Sequence, residues 1–188
     1  MIRIALGLAI VIATASGLAA QNNNPGELAT FASRPASDYT ATFRAKLIQT
    51  FAAYCQEVLD ALPTNTPAED AWVASEQKTT DLTKISRLLG SKEYSRYILK
   101  NTFSNCKDIT ATLIQVQNLP EKEKRTETYA RLEASYFVKL ALNFNDDLKS
   151  YLSKIDLNHD KKIELELLLP TFRRELLRAV TKTLQDVP

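Results

Sequence analysis

From about residue 38 to residue 185 the apolar residues recur at every third or fourth position, and no stretch alternates apolar with polar. That is the period of an α-helix turned toward a core. A strand would switch faces at every step. A chain patterned this way throughout is expected to be all-α, a bundle of about five helices with their apolar stripes facing one another.

The first helix is expected over about 38–62, carried by Phe43, Leu47, Phe51, Cys55, Val58, Leu59 and Leu62 and stopped by Pro63. The second starts at Thr66-Pro67-Ala68-Glu69, where Thr66 and Glu69 form a capping box and Pro67 takes the first helical position. It turns Trp72 and Val73 inward and reaches Gly90, with room for a break in the polar stretch 76–80. A third runs from Ser91 to about 118 through Tyr94, Tyr97, Ile98, Cys106, Ile109, Leu113 and Val116. After Asn118-Leu119-Pro120, one long helix over 121–154 carries the stripe Tyr129, Leu132, Tyr136, Leu140, Phe144, Leu148, Tyr151, Leu152 and Ile155. The last spans roughly 164–185 with Phe172, Leu176, Leu177, Val180 and Leu184 inward, and Pro170 either kinks it or marks its start.

Both cysteines, Cys55 and Cys106, fall on the apolar faces of their helices. An inter-helix disulfide between them would close a loop of about 50 residues and stabilise the fold by roughly 4 kcal/mol in the chain-entropy model. The N-terminal residues agree with an oxidising destination. Arg3 precedes an uncharged apolar run, Ile4 to Ala15, and Gly17-Leu18-Ala19 offers small residues for cleavage. This is the layout of a secretory signal peptide over 1–19. The run falls short of the roughly 20 apolar residues a bilayer span needs, and the alternative is an uncleaved anchor. Residues 20–36, rich in Asn, Ala, Gly and Pro, read as a flexible lead, and 37–188 as a single helical domain. The expected location is secreted or periplasmic, with no integral membrane segment left after cleavage.

Lys and Arg number 24 and Asp and Glu 22, a net charge of +2. That balance lacks the basic excess of a nucleic-acid-binding domain, so no nucleic-acid partner is expected.

One turn carries side chains with metal chemistry. In Ile155-Asp156-Leu157-Asn158-His159-Asp160-Lys161-Lys162-Ile163-Glu164, oxygen-bearing side chains fall at every second residue, the arrangement a hard cation favours. The stretch resembles the EF-hand calcium loop over residues 148–167. Asp156, Asn158 and Asp160 match its first, third and fifth positions, the Lys162 carbonyl its seventh and Ile163 its apolar eighth. Leu148, Tyr151, Leu152 and Ile155 match the entering helix. The resemblance implies a calcium site formed by Asp156, Asn158, Asp160, Lys162 and Glu164. Lys161 stands where the family has its turn glycine, and Leu167 where it has its bidentate Glu, with Glu164 and Glu166 close by. The other reading is a polar turn in which Asp156 caps the next segment and Lys161 and Lys162 face water.

His159 is the single histidine, and a zinc site needs three or four N or S ligands, so zinc is not expected once both cysteines are bridged. Asn145-Asp146-Asp147 reads as a solvated helix face. Arg174, Arg178 and Lys182 form a basic stripe opposite Phe172, Leu176 and Val180, either the wet side of a bundle helix or a contact for an anionic surface. No phosphate loop and no nucleophile elbow occurs. The expectation is an exported, non-enzymatic helical binding protein with a protein partner. A calcium-binding module and a hydrolase working through carboxylates are the alternatives.

Overall fold

A computed structural model describes residues 41–186. The expected signal peptide, the lead and the first residues of the domain lie outside the described residues. Among those described there are eight helices and no strand: α1 (Ala41–Ala61), α2 (Pro67–Glu76), α3 (Leu82–Gly90), α4 (Lys92–Gln117), α5 (Glu121–Lys124), α6 (Glu127–Asn143), α7 (Asp147–Ser153) and α8 (His159–Gln185). The helical class expected from the sequence is present. The number of helices is corrected from about five to eight.

The four long helices make the frame. Contacts near both ends show each running against the next. Cys55 of α1 bridges Cys106 of α4, the start of α1 at Ala41 and Thr42 lies beside Ile114 and Gln117 at the end of α4, and the end of α1 at Leu59 lies beside Lys100 and Ser104. Gln117 of α4 reaches Glu133 of α6, while Phe103 of α4 meets Phe144 at the far end of α6. Arg173 of α8 pairs with Asp146 just past α6, while the other end of α8 meets the start of α6 around Thr183 and Ala130. Arg44 and Glu57 of α1 meet Asp186 at the end of α8 and Lys161 at its start, which closes the circuit. The result is an up-down-up-down four-helix bundle of α1, α4, α6 and α8. Helices α2 and α3 are inserted between its first two members, and α7 between its last two.

Each long helix brings a phenylalanine to the centre, within its length or, for α6, at its C-terminal cap. Phe51, Phe103, Phe144 and Phe172 are all nearly inaccessible, and the rings of Phe51 and Phe172 meet at a tilt of 50° with centres 4.2 Å apart. Tilted and edge-on contacts tie Phe144 to the other three at 5.8–6.0 Å. Leu47, Leu99, Leu113, Leu140, Leu152 and Leu176 continue this core along the bundle. Burying each such side chain is worth about 1.5–3 kcal/mol.

The long helix expected over 121–154 is three helices. Thr126 starts α6, and the chain leaves it at Phe144, whose backbone (φ −95°, ψ 61°) is no longer helical. Asn145 then accepts a hydrogen bond from the Asp147 N–H at 3.1 Å and opens α7. The apolar stripe survives these breaks because Leu140, Phe144, Leu148, Leu152 and Ile155 are all buried. Its first part does not match: Leu132 is exposed, and Ala130, Ala134 and Phe137 face the core instead.

The second expected helix divides into α2 and α3 at the polar stretch, where the sequence leaves room for a break. Thr66 and Glu69 form the expected capping box. Val73 is buried, while Trp72 is only half-buried and carries the Arg87 guanidinium 5.7 Å above its ring.

Candidate functional site

The segment from Lys154 to Asn158 joins α7 to α8, and everything from His159 to Gln185 is helix. Ile155 is buried and anchors the turn. Asn158 is the N-cap: its Oδ1 accepts from the N–H of Asp160 at 2.9 Å and of Lys161 at 3.4 Å, and its carbonyl accepts from Lys162 N at 2.9 Å. This is the ordinary way to satisfy the first N–H groups of a helix, and Asp160 in the first turn complements the helix dipole. Asp156 projects into solvent, 78% exposed, within 3.4 Å of Arg96. Lys162 and Glu164 lie inside α8. The helix thus begins five residues earlier than the sequence suggested, and positions 159–167 are helical rather than loop. Among the described residues no group of three or more His, Cys, Asp or Glu is placed to hold a metal ion.

Lys161, expected in water, is drawn inward. Its Nζ lies 2.8 Å from Glu57 of α1 and 3.2 Å from both oxygens of Glu164, and sits 5.9 Å from the centre of the Tyr54 ring. Burial works against the ammonium, but these two carboxylates outweigh it and raise its pKa. Tyr54 is buried, which pushes its phenol far upward, and Glu164 and Glu57 add to the effect. The cluster pins the start of α8 to α1.

At the opposite end of the bundle a cavity of about 200 Å³ opens where α1, α4, α6 and α8 converge. Arg44 is buried there and donates from Nη1 to Asp186 at 2.6 Å, while its Nε and the hydroxyl of Thr183 make no hydrogen bond. Gln117 donates to Glu133, a buried carboxyl whose pKa is raised by burial despite Arg44 and Gln117. Burial also tends to raise Asp186, but its hydrogen bonds from Arg44 and Lys182 hold it low. None of this polar end was expected from sequence. The signal was present, because Arg44 sits one turn before Ile48 and two before Phe51 on the buried face of α1.

Helix α8 is apolar on two sides. Its inner face is Leu165, Leu169, Phe172, Leu176, Ala179 and Thr183. Glu175 joins that face at 1% exposure; its Oε1 accepts from Arg174 and Arg178 at 3.2 and 3.1 Å, and its Oε2 has no partner. A second row runs along the outside: Ile163, Leu167, Pro170, Leu177 and Leu184, with Arg174 and Thr181 as its polar steps. Successive members of this row are four and three residues apart in turn, the spacing of a coiled-coil seam. All are solvent-exposed; Leu167 is 69% exposed. Leu177 and Leu184, expected in the core, belong to this outer row. A shallow groove follows it past Pro170, Arg174, Leu177 and Thr181, edged by Arg173 and Arg178. The expected basic stripe is therefore partly engaged: Arg174 and Arg178 lean on Glu175, and Lys182 pairs with Asp186 at 3.2 Å.

No helix of the described residues is long and apolar enough to cross a membrane. Cys55 and Cys106 are bridged within the chain, with Cα atoms 6.3 Å apart and both side chains inaccessible. Comparison with known proteins gives no match: no family model fits the chain, and no curated protein and no solved structure is similar to it.

Proposed function

We propose that this chain is an exported, non-enzymatic helical binding protein that takes hold of a protein partner with the outer face of α8. The observation that carries the reading is the exposed seam from Ile163 to Leu184. Single exposed apolar residues are common, and Leu82 on α3 is one of them at 80% exposure. A row of five of them at coiled-coil spacing over about three heptads, interrupted only at Arg174 and Thr181, is different, because it gathers exposed apolar side chains on one face of one helix, and such faces mark interaction sites. The bridged cysteines and the signal-like N-terminal sequence support the exported part of the reading.

A photo-crosslinking amino acid in place of Leu177 tests it in the producing cell. One predominant protein adduct is expected from that position. The same group in place of Lys107, exposed on α4, should give none. Equal scatter from both positions, or no adduct at 177, would sink the reading.

A further inference from the structure

The cavity where α1, α4, α6 and α8 converge is walled by polar groups whose hydrogen bonds are only partly made. Arg44 and Thr183 both line it, at 8% and 3% exposure. Arg44 spends Nη1 on Asp186, but its Nε and the Thr183 hydroxyl have no partner. Buried polar groups are almost always bonded, so two orphans on the wall of one cavity call for an occupant. A single water needs roughly 10–15 Å³, and this cavity offers about 200 Å³. It also lies where helical bundles build their ligand sites, between facing helices.

The unmet groups decide what that occupant is. An arginine N–H can only donate and a hydroxyl can donate too, so the occupant supplies oxygen acceptors. The wall also leaves one cation unspent. Asp186 takes Arg44 and Lys182, and Glu121 takes Lys124 at 2.9 Å. Arg125 lines the same cavity, and among the described residues its guanidinium makes no hydrogen bond and no ion pair. Glu133, the remaining acid of the wall, accepts from Gln117 and is pushed by burial toward its neutral form. One negative charge suits this wall, while a dianion would press a second charge against Glu121, Glu133 and Asp186. The methyl groups of Ala41 and Ala130 give the cavity a small apolar part. We propose that this cavity binds a small aliphatic monocarboxylate, with Arg44 Nε and Thr183 Oγ1 as its buried donors and Arg125 as its counter-charge. The site is separate from the outer face of α8, and neither reading depends on the other.

The experiment is a calorimetric titration of the full chain, native disulfide intact, with sodium butyrate at neutral pH. One butyrate per chain is expected, with a dissociation constant of about a millimolar or lower. Butyramide, the neutral isostere, and inorganic phosphate should each bind at least about tenfold more weakly. Thr183→Val keeps the side-chain shape and deletes the unpartnered hydroxyl. Arg125→Gln changes an exposed residue and removes the free charge. Each should weaken butyrate about tenfold, the usual effect of losing a hydrogen bond or charge that meets an ionised group. Lys107→Gln, at an exposed site on α4, should leave binding unchanged. Circular dichroism of each variant separates lost binding from lost folding, and Arg125→Gln carries the test where Thr183→Val fails to fold. No saturable heat up to about 100 mM butyrate would leave the cavity to water and overturn the proposal. Butyramide binding as tightly as butyrate, phosphate binding more tightly, or butyrate binding that neither variant weakens would overturn it as well.

Discussion

Leu176 and Leu177 are neighbours in the chain that serve opposite sides of α8: Leu176 is 1% exposed among the core phenylalanines, and Leu177 is 45% exposed on the outer seam. The two substitutions to alanine should therefore differ sharply. Leu176→Ala should cost about 2–5 kcal/mol, the usual range for deleting a buried leucine. Leu177→Ala should stay within about 0.5 kcal/mol. Urea unfolding in dilute solution measures both, and equal losses would mean the helix is rotated from the orientation described.

The bridge between Cys55 and Cys106 joins two core helices across a sequence separation of 51 residues. Replacing both cysteines with alanine should lower stability by about 2–5 kcal/mol. Unfolding midpoints of the bridged and alanine forms, compared under identical conditions, check this. Coincident midpoints would count against a bridge in the folded chain.

Glu133 and Glu175 are buried carboxyls, and burial raises the pKa of both above the ordinary carboxylate value. The folded chain therefore holds these protons to higher pH than the unfolded chain, whose glutamates titrate near about 4.3. Their contribution is fully present below that value and is lost as pH rises through the folded values. Stability should fall over that interval relative to a Glu133→Gln, Glu175→Gln variant. Denaturation midpoints taken from about pH 4 upward measure the difference, and a difference of opposite slope would contradict the burial argument.

Asn158 caps α8 through two N–H groups. Asn158→Ala should cost about 1 kcal/mol, the typical value of a lost N-cap. The cost should be the same in millimolar calcium and in chelator, since the oxygen is committed to the helix. Asp156→Ala removes only an exposed contact with Arg96 and should change little. A thermal melt that rises several degrees with calcium, and stops doing so in an Asp156→Ala, Asp160→Ala chain, would establish a cation site there instead.

The inner face of α1 was legible in the sequence, because three- and four-residue spacing is unambiguous when the other side is polar: Leu47, Phe51, Cys55 and Val58 face in, and Gln49, Glu57 and Asp60 face out. The capping box at Thr66 and the cysteine pair were legible from equally local patterns. Helix α8 was not, because it carries two rows at the same spacing. Periodicity marks both, and only packing tells which is inside. The inner row even includes Glu175 and Thr183, so hydropathy favours Leu177 and Leu184, which face out. The breaks around α6 were hidden because Phe144 stays buried as the backbone leaves the helix. The polar end around Arg44 depends on Asp186, 142 residues away, a distance that no local pattern spans.

The covalent ring formed by Cys55 and Cys106 encloses all of α2 and α3, which each bury a single residue, Val73 and Leu88, outside the main core. A protease that cuts between Gln77 and Asp81 would therefore leave one molecule of nearly unchanged mass and shape. The cut would become visible as two fragments only after reduction.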